Sequence, residues 1–415
     1  MSKPDRGNRC IRCVTWGAVA WSCSVPPPAA PQDIQPTKPP RPVVTSVSQP
    51  NPALAPEASA TPVRVFPLFV AYPGLAATLP RFAIDDDPSP VERVGAIEKE
   101  LGFLGFFVKR DDVLGSPFGG TKARKLEMLL GEAKAKGAWE VLTFGGVGSN
   151  HALATAIHAR ASGLSVTLLL LPEPNTPHVR DNLLALASQG AALRMTGPDR
   201  VDSLVLAAGR ADAPPNPYVI APGGTSATGN VGCVNAVFEL AGQVADGVLP
   251  RPDVIYVPAG TMGLAAGLAV GLEALGWHTQ VRAVRVSSTR YVSPARLERL
   301  FDQTAALLRA RDSSFPALRL SKDRVVIVHH AAGPGYALPT TAGRAAATWF
   351  GARTGLPLDL TYTAKAAAGM LREAPQWRGK HVMFWNTYDA RRVGAGDATP
   401  ADLPEELRGW FVGTR

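Results

Sequence analysis

The 415-residue sequence predicts an α/β fold with largely parallel sheets, and three observations carry that expectation. Short apolar runs rich in Val, Leu and Ile recur along the chain, Ala- and Leu-rich segments long enough for helices separate most of them, and Gly or Pro stands at the joints. In order, the strand-like runs are VLTF at 141–144, SVTLLLL at 165–171, YVI at 218–220, DVIYV at 253–257, VRAVRV at 281–286, VVIV at 325–328 and VMFW at 382–385. Such runs suit strands covered on both faces, and the helices between them suit parallel crossovers, whose ligands bind where strands end and helices begin. No period of 20–50 residues repeats, so a solenoid is not indicated.

The pattern starts only after Val63. Residues 9–24, RCIRCVTWGAVAWSCS, join basic residues to a short apolar run and read equally as a leader or as sequence upstream of a later start codon. From Val25 to about Pro62 the chain is rich in Pro, Ala, Ser and Gln without apolar periodicity, too little to offset the entropy of ordering. Residues 1–62 are therefore expected to be disordered.

The remaining length is enough for a large enzyme with a cleft between two lobes. The formal charge of +9 is spread over scattered arginines with no basic block and no aromatic-interleaved motif, which argues against nucleic acid and suits an anionic small molecule. No apolar run is long enough to span a bilayer. Of four cysteines, only Cys233 lies beyond the first two dozen residues, so neither a disulfide framework nor a four-ligand zinc site can form in the body. No metal is expected, and the body suits a reducing compartment such as the cytoplasm. His329 and His330, without a second metal-type cluster, read as core or rim.

Three glycine-containing junctions follow strand-like runs: FGGVGSNHA at 144–152, APGGTSATGNVG at 221–232 and PAGTMGLAAGL at 258–268. Each can present unpaired N–H groups and a helix N-terminus to an anion, or serve only as a tight turn. Neither the P-loop nor the dinucleotide fingerprint is present. Upstream, GGTKARKLE at 119–127 places Lys122 in the opening turn of an expected helix. From the residues alone it reads as a surface cation, a phosphate clamp or an amine kept for covalent chemistry, and a cation there opposes the helix dipole. Lys125 follows on a similar face and reads as a structural cation supporting Glu127 or Asp111. The KRDD cluster at 109–112 reads as a brace for the loop carrying Lys122.

Taken together, VKRDDVLGSPFGGTKARKLEMLLGEAKAKG, FGGVGSNHALATAIHARASGL, GGTSATGNVGCVNAVFEL, GTMGLAAGL, GYALP and DLTYTAKAAAGML resemble, in that order, the 1-aminocyclopropane-1-carboxylate deaminase and D-cysteine desulfhydrase family of pyridoxal-phosphate enzymes. The resemblance spans about residues 65–390. It implies the tryptophan-synthase-β fold: two lobes with mostly parallel sheets and the cofactor in the cleft between them, with 63–124 and 231–415 forming the large cofactor-binding lobe and 125–230 the small one. A homodimer and a small amino-acid substrate are implied as well.

By position, Lys122 matches the lysine that forms the Schiff base with pyridoxal 5'-phosphate, a primary amine that can later move protons at Cα. Asn150 matches the partner of the cofactor's phenolic oxygen. Ser149 matches a serine near the reacting carbon, although a Ser-Asn pair before a helix is also a good cap. His151 stands where desulfhydrase-like members carry His and deaminase-like members Gln. Gly260, Thr261, Met262, Gly263 and Leu264 match the phosphate cradle, with Leu264 replacing a Thr. Tyr336 matches a substrate-contacting tyrosine, here preceded by Gly335 without the acidic neighbour of the deaminases. Thr387 is what remains of a His-Thr-Gly-Gly segment, in reach of the pyridine nitrogen, and Thr121 stands where the family prefers Asn. The expected activity is β-elimination from D-cysteine or a related amino acid to a keto acid, ammonia and sulfide. The alternatives are deamination of the cyclopropane amino acid and, in another class, a cofactor-binding homologue without turnover.

Overall fold

A computed structural model describes residues 66–85, 88–210 and 215–412. Of the two units into which the chain divides, Met1–Ala60 and Thr61–Arg415, the second contains all of them. The expectation of disorder over 1–62 lies outside the described residues.

Ten strands occur there: β1 (Val91–Arg93), β2 (Gly105–Arg110), β3 (Glu140–Gly146), β4 (Ser165–Leu171), β5 (Ala192–Met195), β6 (Tyr218–Ile220), β7 (Val254–Ala259), β8 (Gln280–Arg285), β9 (Val325–Val328) and β10 (His381–Asn386). They form a six-stranded sheet in the order β1-β2-β10-β7-β8-β9 and a four-stranded sheet in the order β5-β4-β3-β6. Every pairing is parallel except β1 with β2. The seven apolar runs of the sequence are β3, β4 and β6 to β10. The other three strands escape that criterion for physical reasons. β1 (VER) is a mostly exposed edge, β5 is a four-residue edge with alternating burial, and β2 (GFFVKR) ends in charges.

One of those charges explains why β2 is nonetheless a core strand. Lys109 is fully buried and donates to Glu239 Oε1 (2.6 Å), Ser89 O (2.6 Å) and Gln243 Oε1 (2.7 Å). Arg124 completes the network, with bonds to both oxygens of Asp111 (2.7 and 2.8 Å) and to Glu239 Oε2 (2.9 Å). Burial alone would raise the Glu239 carboxyl, but Arg124 and Lys109 outweigh it and hold the group at about 2. The cluster joins β2, the helix Thr121–Ala135 and the helix Ala227–Ala245. It is charge-balanced and fully hydrogen-bonded, the condition under which buried ions are tolerated.

Close packing of three helices sets the position of the site. A Cβ on Gly232 would lie 1.8 Å from Arg124 O, and one on Gly267 would lie 2.4 Å from Cys233 Cβ. The helices Thr121–Ala135, Ala227–Ala245 and Gly263–Ala274 therefore approach at distances no larger side chain permits. β7 is buried along its whole length, so its carboxyl end delivers the chain into the Gly260 loop from the middle of the sheet. Leu403 and Leu407, near the chain's end, join the core of the four-stranded sheet. Among the described residues no helix is long and apolar enough to cross a membrane.

Candidate active site

Loops from the carboxyl ends of β2, β3, β6, β7, β8 and β10 converge on a cavity of about 430 Å³. Every residue matched to a catalytic, cofactor or substrate role lines it: Lys122, Ser149, Asn150, His151, Gly260, Thr261, Met262, Gly263, Leu264, Tyr336 and Thr387. All three glycine junctions reach it as well.

Lys122 is the second residue of its helix because Gly120 adopts φ 60°, ψ −150°, a backbone state that a side chain disfavours, and a Cβ there would sit 2.7 Å from Thr387 O. Asp389 holds the same turn by accepting the Gly119 N–H (2.8 Å), and Arg391 holds Asp389. The Lys122 ammonium meets no carboxylate at ion-pair distance among the described residues; its Nζ lies 6.0 Å from the centre of the Tyr362 ring. Burial first, then the positive charge of Lys125, bring the amine down to about 7.

Lys125 departs from the sequence expectation. It is not the partner of Glu127 or Asp111, which engage Arg81 and Arg124. One helical turn from Lys122 on the same face, it is buried and donates to Gly223 O and Thr225 Oγ1 (both 3.1 Å). Its Nζ lies 2.5 Å from where a Cβ of Gly263 would stand, at the N-terminus of the helix Gly263–Ala274. A cation beside the positive end of a helix is a frustrated arrangement, relieved by an anion between them. Thr225 and Thr261 share a hydroxyl bond there (2.7 Å), so Thr261 supplies a hydroxyl near the position where Leu264 lacks one. The first-turn N–H groups of that helix have no carbonyl four residues back to bond. Met262 takes φ 68° to open the loop.

On the β3 side, Ser149 caps the helix Asn150–Ala161 by accepting the Ala152 N–H (3.3 Å). Asn182 donates to Asn150 Oδ1 (3.1 Å), which fixes the carbonyl end of that amide and leaves donation to its Nδ2. His151 is buried, with Nε2 3.0 Å from Thr143 Oγ1; burial, then Lys122 and Lys125, push it well below the usual histidine range, so it is a neutral ring. Its Nδ1 and the Thr121 hydroxyl are buried polar atoms without a protein partner, and both residues line the cavity.

Opposite stand two tyrosines. Asp359 accepts the N–H groups of Thr361, Tyr362 and Thr363 (3.0, 2.7 and 2.9 Å), a local cap that fixes Tyr362. Lys365 donates to Ala332 O and Gly335 O (2.9 and 3.0 Å) and so holds the loop carrying Tyr336. The two hydroxyls are 2.6 Å apart, and burial raises both above the usual phenol range. Sequence reasoning quotes the DLTYT run but assigns Tyr362 no part; the Asp three residues before the tyrosine was the available signal. His329 is exposed at the rim, accepting from Arg285 Nε (3.0 Å).

These features fit pyridoxal 5'-phosphate: a seat for a doubly charged anion, a deprotonatable amine, a free amide donor and two orphaned polar atoms in one cavity. Residues 85–387 match the family described as pyridoxal-phosphate dependent enzyme. The chain is 36% identical over 294 residues to the nocardicin C-9' epimerase of Nocardia uniformis subsp. tsuyamanensis, covering 69% of this chain and 87% of the relative. It is 32% identical over 324 residues to a D-cysteine desulfhydrase of Klebsiella pneumoniae subsp. pneumoniae, covering 74% and 93%. A putative 1-aminocyclopropane-1-carboxylate deaminase of Pyrococcus horikoshii is 32% identical over 323 residues, covering 75% and 93%. The solved structure of a homologue of that deaminase superposes with a TM-score of 0.64 at 29% identity, covering 79% of this chain and 96% of the other.

Proposed function

Because the chain belongs to the family of pyridoxal-phosphate-dependent enzymes, we propose that it is a lyase of small amino acids that eliminates the β-substituent of D-cysteine, giving a keto acid, ammonia and sulfide. The observation that carries this reading is the Lys122 amine, brought to about 7 beside an anion seat and two tyrosine hydroxyls. When bound, the cofactor supplies an aldehyde for amines and a ring that draws electrons from the substrate's Cα.

The protein's own groups supply the rest. Lys125, the Thr225 and Thr261 hydroxyls and the N–H groups of the Gly260–Leu264 loop would hold the phosphate. Asn150 would donate from Nδ2 to the phenolic oxygen, and Thr387 would serve the ring nitrogen. Near pH 7 Lys122 is about half neutral, so its amine can act as a nucleophile and as a base toward the substrate's Cα proton. Ser149 orients the substrate carboxylate. Tyr336 and Tyr362 face the departing group, and their raised ionisation keeps them protonated and able to donate to it.

The similarity to an epimerase, together with proton-bearing groups at both Lys122 and the tyrosine pair, favours inversion at Cα as the second reading. Ring opening of the cyclopropane amino acid is supported by the relatives of that name. Incubating the holoenzyme with D-cysteine, L-cysteine, D-serine and the cyclopropane amino acid, with sulfide, keto acid and enantiomer composition as readouts, separates them. Sulfide from D-cysteine is expected. Cofactor-loaded protein that forms no product from any of the four leaves only the reading without turnover.

A further inference from the structure

Arg285 is the last residue of β8 and lines the cavity, yet the reaction described above gives it no part. The sheet order sets it at the far end of the site. β8 stands three strands from β2, at about 14 Å, with β10 and β7 between them, so Arg285 lies beyond the Gly260–Leu264 loop as counted from the Lys122 side. The amine and the anion seat that the cofactor calls on are complete without it. Two bonds fix the guanidinium: Nε donates to His329 Nδ1 (3.0 Å) and Nη1 to Ser287 O (2.8 Å). Ser287 is in turn tied to the loop after β7, its hydroxyl donating to Gly260 O (2.6 Å). Among the described residues Nη2 has no bond and no carboxylate pairs with the group, although arginine stays charged and presents a planar fork suited to one. The neighbouring wall adds positive charge. Lys365 donates to the carbonyls of Ala332 and Gly335, and Asp359 is taken up by three N–H groups and the Thr363 hydroxyl. Burial lowers the Lys365 ammonium, Asp359 works against that, and the charge of Arg285 adds to it. Two cations that oppose each other at one end of a cavity are relieved by an anion there.

We propose that Arg285 is the specificity residue of a distal subsite that takes a carboxylate at the far end of the substrate's side chain. The inference deepens the reading of the cavity as a lyase site for amino acids and rests on it. The substrate class is then β-substituted D-alanines whose departing group carries an acid, and D-cysteine is the short member that leaves the subsite empty. The bond that breaks is the same. The Cβ–S electron pair leaves with sulfur, which takes a proton and departs as a mercapto acid in place of sulfide, while the keto acid and ammonia form as before. The two bonds to His329 and Ser287 orient the guanidinium before any ligand arrives, so little ordering is needed when the carboxylate docks. Ser288, also on the cavity lining, puts a further hydroxyl beside it.

The test compares acids with amides of the same shape. Cofactor-loaded protein is titrated with D-glutamate and D-2-aminoadipate, each against its side-chain amide, and half-saturation is read from the visible absorbance; none of the four has a β-leaving group. At least one acid is expected to bind roughly tenfold more tightly than its amide, the worth of a charge-assisted bond. Arg285→Gln is expected to bring that ratio to about one, and Arg285→Lys, which keeps the charge without the fork, to an intermediate value. The ratio is read within each variant, so a role of Arg285 confined to holding the His329 loop, or to the cofactor, leaves it unmoved. A wild-type ratio near one for both pairs, or a preference that survives in Arg285→Gln, overturns the proposal. A second measurement needs no amine chemistry. Arg285 in the cofactor-loaded protein is modified with phenylglyoxal and quantified by mass spectrometry, with glutarate or its diamide present. Glutarate is expected to slow the labelling severalfold and the diamide to leave it unchanged; equal labelling with both overturns the subsite. If the absorbance responds to no amino acid, the functional reading fails while the labelling still decides the subsite.

Discussion

The low basicity of Lys122 can be tested without any substrate, by competitive acetylation of the cofactor-free protein with each lysine quantified by mass spectrometry. With its midpoint at about 7, half of Lys122 is neutral at pH 7, whereas an ordinary lysine of 10.5 is neutral in about one molecule in 3,000. That is a gain of ~10³ in reactive form. A weaker base is also a weaker nucleophile, and with a slope like that of thiols, about 0.45, the shift costs about 40-fold, leaving a net advantage of roughly 40-fold. The sign follows from the lowered midpoint of a cation. Lys122 labelling rises through pH 7 and levels off above it, the protonated form predominates below it, and surface lysines overtake as they approach 10.5. Lys125→Met removes the second cause of the shift and raises the midpoint, while burial, the larger cause, keeps it below the ordinary value. A Lys122 profile that tracks the surface lysines, or one that Lys125→Met leaves in place, refutes the account.

Three further outcomes follow from the same geometry. Lys125→Met is expected to weaken pyridoxal 5'-phosphate by about 10- to 100-fold, the worth of a charge-assisted bond, while leaving unphosphorylated pyridoxal nearly unaffected; equilibrium dialysis against both distinguishes the phosphate contact from general damage. Gly263→Ala puts a methyl 2.5 Å from Lys125 Nζ and 2.6 Å from Thr225 Oγ1, and at least tenfold more cofactor should be lost on dialysis, read from the visible absorbance. Arg124→Met strands Asp111 and Glu239 in the core and should cost about 3–5 kcal/mol in urea unfolding.

The strand framework was legible because central parallel strands are apolar on both faces, and β7, with no exposed residue, is the limiting case. β2 was not, because its last two residues are charged and the burial of Lys109 depends on Glu239, 130 residues away. The site was legible where a residue type is tied to its own loop, as with the Ser149 cap or the glycines around Lys122. It was opaque where the role depends on distant segments. Nothing in the order of residues places Thr225 beside Lys125, or Tyr362 within 2.6 Å of Tyr336.

The run TKARK illustrates the difference most sharply, since it carries three cations in one helical turn and the sequence alone ranks them poorly. Their partners separate them. Arg124 points into a cluster with two carboxylates, and its charge is spent on holding the helix to β2 and the helix Ala227–Ala245. Lys122 and Lys125 point the other way, into the cavity, where no described carboxylate pairs with either and the charge of Lys125 works through space against that of Lys122. Leaving two buried cations unpaired destabilises a fold unless something binds them. A ligand that brings a phosphate to Lys125 and an aldehyde to the neutral form of Lys122 resolves both at once, and it explains why Arg124, between them in sequence, must be satisfied elsewhere. The same helix turn is a foundation on one face and a reactive surface on the other, and the buried ion cluster is what keeps the reactive face fixed while its own charges go unpaired.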